Sequence, residues 1–256
     1  MITPTPVVAP PRTVTSRAAV SLIEVHKTYP AGPQPVHALK SVSLDVSQGS
    51  FTAIMGPSGS GKSTLLNVAA GLDAPTSGRI VIGDTDISRL SADSLTTFRR
   101  RRIGFIFQAY NLLPHLTVSE NVRLPWWLDN KSPDAAREAQ LLAAVGLDGM
   151  AGRLPSELSG GQAQRVAIAR ALVNQPEVIF ADEPTGALDS HTGATILQVL
   201  RTAVAEFKQT LVLVTHDTQV AAVADEVVFL ADGTVVDRVR GASAPHILQR
   251  VVELGR

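Results

Sequence analysis

The feature that most constrains the fold is a glycine-rich loop between a strand-like run, residues 51–55, and a helix-like segment that Gly71 closes. The loop is Gly56-Pro57-Ser58-Gly59-Ser60-Gly61-Lys62-Ser63, which fits the pattern G-x-x-x-x-G-K-[ST]. Glycines let backbone N–H groups wrap around an anion, and the following helix adds its positive end. A chance glycine–serine loop would not need this setting. The pattern therefore predicts a phosphate cradle in which Lys62 contacts the β- and γ-phosphates and Ser63 ligates Mg²⁺.

A second motif is an apolar run that ends in two acids, Val178-Ile179-Phe180-Ala181-Asp182-Glu183. Apolar residues alone would be ordinary core, but buried carboxylates are costly without a partner. In α/β sheets the carboxyl ends of strands are where ligands bind. We therefore expect Asp182 to hold Mg²⁺ and Glu183 to orient or deprotonate an attacking water.

Composition narrows the function classes. The 256 residues contain 23 Lys+Arg and 23 Asp+Glu, so the basic excess typical of nucleic-acid binding is missing. The sequence has no cysteine, which excludes disulfides and fits a cytosolic setting. No apolar run approaches the roughly 18 residues of a membrane span, and the proline-rich start lacks a signal-peptide pattern. We expect residues 1–20 to be a flexible tail and any membrane role to depend on a partner.

The remaining residues alternate between strand and helix patterns, except in the middle. The predicted strands are residues 21–28, 42–46, 51–55, 79–82, 103–107, 178–181 and 211–215, and a hairpin with its turn at Asp232-Gly233 joins 226–230 to 234–238. The predicted helices are residues 63–70 and 91–102, one between strands 178–181 and 211–215, and three in the middle at 117–127, 132–146 and 159–174.

Capping signals place the middle helices. Thr117 with Glu120 and Ser159 with Gln162 form capping boxes, and Ser132-Pro133 predicts an N-cap followed by a first-turn proline. The chain therefore reads as an α/β core over residues 21–256 with an all-helical insertion at about 111–172.

The most specific motif is Leu158-Ser159-Gly160-Gly161-Gln162. A cap does not need two glycines in the first helical turn, where each costs about 0.5–1 kcal/mol relative to alanine. They make sense if a phosphate approaches the backbone at a second anion site. From about residue 21 to 236 the sequence resembles the ATP-binding cassette (ABC) ATPases, whose signature sequence this stretch is similar to. The resemblance implies a P-loop NTPase core with an antiparallel β subdomain and a helical subdomain, and a head-to-tail homodimer that hydrolyses ATP.

The resemblance also implies residue roles. It makes Glu183, His216 and Gln108 catalytic, with Ser63, Gln108 and Asp182 around Mg²⁺ and Asp189 communicating across the dimer. It implies ATP binding by Tyr29 beneath the adenine and by Gly56, Pro57, Ser58, Gly59, Ser60, Gly61, Lys62, Ser63 and Thr64, with Ser159, Gly160, Gly161 and Gln162 of a second copy closing the site. Alone, Tyr29, Gln108 and His216 have ordinary structural explanations, but their order and spacing favour the family roles.

Residues 104–122 and 184–190 are similar to cassettes of lipoprotein-release and macrolide-efflux systems. That branch implies an ATPase at the inner face of the cell membrane, beneath separately encoded permease subunits, which powers export or extracytoplasmic mechanical work. A division-type ATPase that regulates cell-wall hydrolysis is the alternative. We expect the segment from Tyr110 to Pro114 and the following helix to form a groove for a helix of the partner, since its apolar residues have no use in a monomer.

Three weaker features remain open. Arg99 to Arg102 could be a nucleic-acid patch, but a helix end whose dipole favours cations is the preferred interpretation. Trp126-Trp127 could be a partner surface or a packing element. A short amphipathic helix at the C-terminal end, with Ile247, Leu248, Val251 and Val252, is expected to dock on the core.

Overall fold

The computed structural model describes residues 17–31 and 34–254. Most of the segment expected to be a flexible tail, residues 1–20, lies outside the described residues. Its last part does not fit the expectation, because Ala18, Ala19 and Val20 already belong to the first strand. Val20 is 1% exposed, so burial against the core extends the sheet to this point.

Within the described residues the strands are β1 (Ala18–Tyr29), β2 (Val36–Ser47), β3 (Phe51–Met55), β4 (Ser77–Ile82), β5 (Thr85–Asp86), β6 (Ile103–Ile106), β7 (Val178–Asp182), β8 (Leu211–Val214), β9 (Glu226–Ala231) and β10 (Thr234–Arg240). The α-helices are α1 (Lys62–Ala69), α2 (Ala92–Arg102), α3 (Val118–Leu128), α4 (Ala135–Ala144), α5 (Gly160–Leu172), α6 (Ser190–Glu206), α7 (Thr218–Ala221) and α8 (Ala244–Leu254). Single 3₁₀ turns lie at Ile87–Arg89 and Pro155–Glu157.

The central sheet has the order β10-β9-β3-β8-β7-β6. Its strands from β9 to β6 pair in parallel, and the predicted hairpin adds β10 antiparallel at one edge. Every residue of β3 and β8 is buried, which is why both strands are apolar apart from Thr52 and show no polar alternation. The loops that follow β3, β7 and β8 therefore meet at one edge of the sheet.

A second sheet, β2-β1-β4-β5, is antiparallel throughout and confirms the expected β subdomain. Its inner face shares one apolar cluster with α1 and with one face of the central sheet. That cluster includes Val25, Leu39, Leu66, Phe180 and Val228. The packing fixes the antiparallel sheet beside the loop that precedes α1.

The helical insertion lies between β6 and β7, and its first helix begins at the predicted cap Thr117. Residues 111–117, which the expected all-helical segment included, are not helical. The capping boxes at Thr117 and Ser159 are confirmed. The predicted cap at Ser132 is wrong. The carboxylate of Asp134 instead accepts a hydrogen bond from the Arg137 N–H, because aspartate caps a helix as well as serine does.

The structure also shows where the arginine run and the two tryptophans lie. Arg99 to Arg102 form the last turn of α2, the predicted helix end. Three of them also bind other segments, namely the carbonyl of Gly71 (Arg99) and the carboxylates of Asp129 (Arg101) and Glu177 (Arg102), which was not predicted. The two tryptophans differ, since Trp126 is buried and Trp127 is 39% exposed.

The C-terminal helix α8 docks on the core, but only partly through the predicted residues. Ile247 is buried and Val251 packs against the core, whereas Leu248 and Val252 are half exposed. No helix among the described residues is both long enough and apolar enough to cross a bilayer.

Candidate nucleotide site

The glycine-rich loop joins the buried strand β3 to α1 and turns sharply. Gly61 is the N-cap of α1 at φ 99°, and a Cβ on it would lie 2.4 Å from the Ala38 carbonyl oxygen. A Cβ on Gly56 would lie 1.9 Å from the carbonyl oxygen of Leu230 on β9. Glycine is therefore required at both positions, and the loop is held between β9 and the β subdomain with its N–H groups available to an anion.

Lys62 lies within this loop, opposite the acids of β7. Its Nζ donates to the carbonyl oxygens of Gly56 at 2.9 Å and Pro57 at 2.7 Å. Burial lowers the pKa of Lys62, while the charges of Glu183 and Asp182 oppose that change. Burial and the neighbouring Glu183 raise the pKa of Asp182, and Lys62 lowers it. One cation thus faces two partly buried carboxylates, an arrangement suited to a charged ligand.

A cleft of about 560 Å³ runs between this loop and the β subdomain. Among the predicted residues, those that line it are Tyr29, Ser58, Gly59, Gly61, Lys62, Ser63, Thr64 and Glu183. The sequence analysis missed the residues that line it from β2 and from the β9–β10 turn, namely Val36, His37, Ala38, Lys40, Asp232 and Gly233. Asp232-Gly233 carried only a turn signal, and the β2 residues carried none, because tertiary packing alone brings them to the cleft.

The three residues expected to be catalytic lie close together. Glu183 follows β7 in a left-handed conformation at φ 44°, and its Oε1 is 3.0 Å from Nδ1 of His216. A Cβ on Gly186 would lie 2.9 Å from Nε2 of Gln108 and 3.1 Å from Oε2 of Glu183, so amide and carboxylate flank the same glycine. The strained backbone at Glu183 is the kind of feature that accumulates at functional sites.

Asp189 lies beside this cluster. Its carboxylate caps α6 by accepting hydrogen bonds from the N–H groups of His191 and Thr192, and the bonds with Thr192 and His191 lower its pKa. A cavity of about 490 Å³ is lined by Glu183, Asp189 and His216 together. Asp189 is thus an ordered carboxylate at the rim of the cluster that also holds the candidate base.

The signature residues lie elsewhere. Ser159, Gly160, Gly161 and Gln162 do not line the cleft, and a Cβ on Gly160 would lie 2.8 Å from the hydroxyl of Tyr110. The Ser159 hydroxyl accepts from the Gln162 N–H at 3.3 Å, and the Gln162 side-chain oxygen accepts from the Ser159 N–H at 2.9 Å. The two helix starts that the sequence predicts to bind anions therefore do not line the same cavity.

A parallel sheet with a glycine-rich loop entering α1, and with an acidic strand end beside it, defines a P-loop nucleotide-binding protein. Comparison with known proteins narrows this class. A family model described as "ABC transporter" matches residues 39–186. The chain belongs to the ABC transporter family, and it contains the ATP-hydrolysing cassette of that family.

Two relatives and one solved structure are similar over most of the chain. The macrolide export ATP-binding/permease protein MacB of Mannheimia succiniciproducens is 47% identical over 220 residues, 85% of this chain. The ABC transporter ATP-binding protein MJ0796 of Methanocaldococcus jannaschii is 46% identical, over 84% of this chain and 94% of that protein. The solved dimer of MJ0796 in a post-hydrolysis state with ADP and Pi has a TM-score of 0.79 and is 44% identical, covering 88% of this chain and 99% of that one.

The chain spans only 34% of the length of this MacB relative. The name of MacB combines an ATP-binding part and a permease part. The residues that match this chain make up about a third of that protein. The branch expected from residues 104–122 and 184–190, the cassettes of lipoprotein-release and macrolide-efflux systems, agrees with the macrolide export name of the MacB relative.

Proposed function

We propose that this chain binds Mg-ATP in the cleft beside α1, hydrolyses it as a homodimer, and uses the cycle to move a membrane permease. The observation that carries the proposal is the convergence at one sheet edge of the Lys62 ammonium, the carboxylates of Asp182 and Glu183, and His216. These groups come from the ends of three neighbouring parallel strands, so the rigid central sheet fixes their spacing.

The residues present fit Mg²⁺ bound together with a nucleotide. Such an ion takes one or two carboxylates and completes its shell with phosphate oxygens and water. Asp182 supplies a partly buried carboxylate whose pKa is raised by burial and by Glu183, and Ser63 supplies a hydroxyl at the start of α1. Asp182, Ser63 and Gln108 are therefore the proposed holders.

In the proposed reaction Lys62 neutralises charge on the β- and γ-phosphates, with the N–H groups of the loop around it. Glu183 positions the attacking water and accepts its proton. His216, 3.0 Å from Glu183, orients that carboxylate and contacts the γ-phosphate. Gln108 reaches the same place from the segment that leads into the helical subdomain. Mg²⁺, when bound, supplies further charge stabilisation to the phosphates.

Dimerisation is proposed because one chain separates its two anion-binding helix starts. The N–H groups of Gly160 and Gly161 have no acceptor in the described part of the chain, and Ser159 and Gly160 are exposed. A second copy placed head to tail would bring these groups to a γ-phosphate held by Lys62. The similar cassette MJ0796 is described as dimeric. This supports the arrangement proposed here.

The partner proposed for the helical side is a permease. A groove of about 400 Å³ lies between α2, β6, α3 and α5, with an apolar lining that includes Phe105, Leu124 and Leu128. Leu128 lines this groove and is exposed, so the proposed docking surface extends further along α3 than the expected segment from Tyr110 to Pro114. Leu113 and Trp127 are exposed as well. We propose that a cytoplasmic helix of a separate permease chain binds here, which would hold the cassette at the inner face of the membrane.

The branch suggests export or mechanical work outside the cytoplasm, and the name of MacB as a macrolide export protein supports this direction. No described residue favours the division-type alternative, so it is not proposed further. Co-purification of the tagged chain from membranes, followed by identification of the bound integral membrane protein, tests partner and direction together.

The nucleotide assignment is tested with Lys62→Ala. Loss of the ammonium should weaken Mg-ATP binding by about 10- to 100-fold, the range for a charged hydrogen bond, and should abolish turnover. Arg201→Ala, an exposed helical cation on α6, is the matched control and should leave binding unchanged. Equal ATP affinity in the wild type and the Lys62→Ala variant, measured by calorimetry, would overturn the assignment.

A further inference from the structure

Tyr29 is held in place by Asp73 and Lys27, which have no part in the proposed reaction. Its hydroxyl donates to Oδ2 of Asp73 at 2.6 Å, and the Lys27 ammonium lies 4.7 Å from its ring centroid. Lys27 also donates to Oδ1 of Asp73 at 2.6 Å and to the Ala74 carbonyl oxygen at 2.8 Å. The three side chains form one closed set, in which each of them contacts the other two.

The set is placed away from the phosphates. Tyr29 lines the nucleotide cleft, whereas Lys27 and Asp73 are not among the described residues that line it. Since the ammonium occupies one face of the ring, a ligand that enters from the cleft meets the other face. An aromatic ring presented in this way suits a flat nucleobase.

The set is also less exposed than an ordinary surface ion pair. The Lys27 side chain is only 11% exposed and that of Asp73 is 32% exposed. Burial and the hydrogen bond to Asp73 raise the pKa of Tyr29, so the phenol stays protonated and remains the donor. Burial acts to raise the pKa of Asp73, but the hydrogen bonds from Lys27 and Tyr29 outweigh it and lower that pKa. Asp73 is therefore ionised at neutral pH and binds both neighbours.

Asp73 connects the Tyr29 ring to α1, the helix that follows the glycine-rich loop. The loop after α1 is fixed to that helix by the N–H groups of Leu72 and Asp73, which both donate to the Asn67 carbonyl oxygen. The same loop is fixed to β1, because the Thr76 N–H donates to the His26 carbonyl oxygen. Hydrogen bonds through this loop thus connect the Tyr29 ring both to α1 and to β1.

We propose that Asp73 and Lys27 are positioning residues for the base of the nucleotide, and that they act by holding Tyr29 in place before ATP arrives. This inference rests on the proposed Mg-ATP site. It predicts that Asp73 and Lys27 affect the part of the Mg-ATP affinity that depends on the base. They should not affect the part that depends on the phosphates. A tyrosine that is already ordered loses no further rotamer entropy when the base stacks on it.

The test compares two ligands, Mg-ATP and Mg-tripolyphosphate, by calorimetry on the full chain. Asp73→Ala and Tyr29→Phe should each weaken Mg-ATP binding by about 2- to 10-fold, the factor for ordering one side chain on binding. Neither should change the affinity for Mg-tripolyphosphate, which has no base. The double variant should bind Mg-ATP no more weakly than Asp73→Ala alone, because both changes break the same contact.

Further variants separate the possible outcomes. Asp73→Asn keeps an acceptor for the Tyr29 hydroxyl and should retain most of the affinity, and Asp148→Ala, at an exposed loop position, should behave as the wild type. Equal losses for both ligands in Asp73→Ala would show a general structural role and overturn the proposal, as would fully additive losses in the double variant. Failure of the nucleotide site itself would look different, since the wild type would then bind neither ligand.

Discussion

The two helix starts proposed to bind phosphate are built in opposite ways. The start of α1 has Gly61 as its N-cap, and no side chain caps it. The start of α5 has a complete capping box between Ser159 and Gln162. The start of α1 leaves its N–H groups to a ligand. The start of α5 uses the N–H groups of Ser159 and Gln162 in its own cap and leaves only those of Gly160 and Gly161.

The difference indicates the order in which the two sites act. A helix start without a side-chain cap, which carries the partly buried Lys62 beside two carboxylates, gains most from an anion and a cation arriving together, so Mg-ATP should bind first at α1. A capped start is stable without ligand and contributes only a few N–H groups and a hydroxyl. The signature is therefore suited to close on a nucleotide that is already bound, and its contribution should appear as dimer affinity.

The largest effect should come from the chemistry beside α1. Glu183→Gln keeps the shape of the side chain but removes its basicity, and general-base catalysis contributes about 10²- to 10⁴-fold. Hydrolysis should fall by that factor while Mg-ATP binding persists, since Lys62, Ser63 and Asp182 are unchanged. Phosphate release and light scattering should then show low turnover and an ATP-dependent dimer. Wild-type turnover in this variant would exclude Glu183 as the base.

The next effect separates the signature's two roles, capping and phosphate binding. Ser159→Asp keeps a good N-cap but places a negative charge against the incoming phosphate, whereas Ser159→Ala removes the cap. In the Glu183→Gln background, Ser159→Asp should weaken ATP-dependent dimerisation by about 100-fold or more at unchanged thermal stability, because like charges at an interface cost several kcal/mol. Binding of Mg-ATP to the monomer should be retained.

Ser159→Ala should behave differently, with a loss of about 0.5–2 kcal/mol in the free energy of unfolding and a smaller loss of dimer. Sedimentation with and without Mg-ATP, together with thermal melts, measures both quantities. If Ser159→Asp dimerises as well as its parent, α5 does not meet the γ-phosphate, and the comparison between the two helix starts loses its functional meaning.

The same contrast explains what the sequence could predict. Strand β3 was predicted to the residue, because a run of four apolar residues and Thr52 lies between a glycine turn and the cradle. The box at Ser159 is fully local. The first half of β2 was missed, since Val36 and His37 are exposed and only pairing with β1 makes them a strand. Local sequence signals are sufficient to predict an element whose motif is contiguous. They fail for a strand that forms only because it pairs with another strand.

The residues of the candidate site fall into the same two groups, those in contiguous motifs and those that only tertiary contacts bring together. Lys62, Asp182 and Glu183 were singled out from contiguous motifs, and the structure brings their charges close together. Asp73, which binds Tyr29 across 44 positions of sequence, gave no signal, because its contact arises only when the loop after α1 meets β1. The exposed face of α8 was mispredicted for a related reason. Its apolar stripe is wider than the surface on which it docks, so Leu248 and Val252 face outwards.

A smaller effect is expected on the helical side, where the groove is proposed to bind the permease. Leu128→Glu should weaken co-purification of the membrane partner by about 10-fold or more, the usual cost of losing a central apolar contact. ATPase activity of the isolated cassette should not change. Leu248→Glu, an equally exposed leucine on α8, is the control and should keep the partner. Loss of the partner with Leu248→Glu but not with Leu128→Glu would move the docking surface to α8.

The smallest effect concerns a third helix start, which has no proposed ligand and shows what a cap alone contributes. Asp134 caps α4 through the Arg137 N–H, and it is exposed and remote from the residues that line the nucleotide cleft. Asp134→Ala should lower the free energy of unfolding by about 1 kcal/mol, or about 2–4 °C in Tm, and leave ATP-dependent dimerisation of the Glu183→Gln protein unchanged. Ser132→Ala should change neither quantity, since Ser132 lies outside the helix. If Asp134→Ala weakened the dimer as much as Ser159→Ala does, the loss at Ser159 would reflect helix stability alone. If only Ser159→Ala weakens it, the excess over Asp134→Ala measures what the signature hydroxyl contributes to the phosphate.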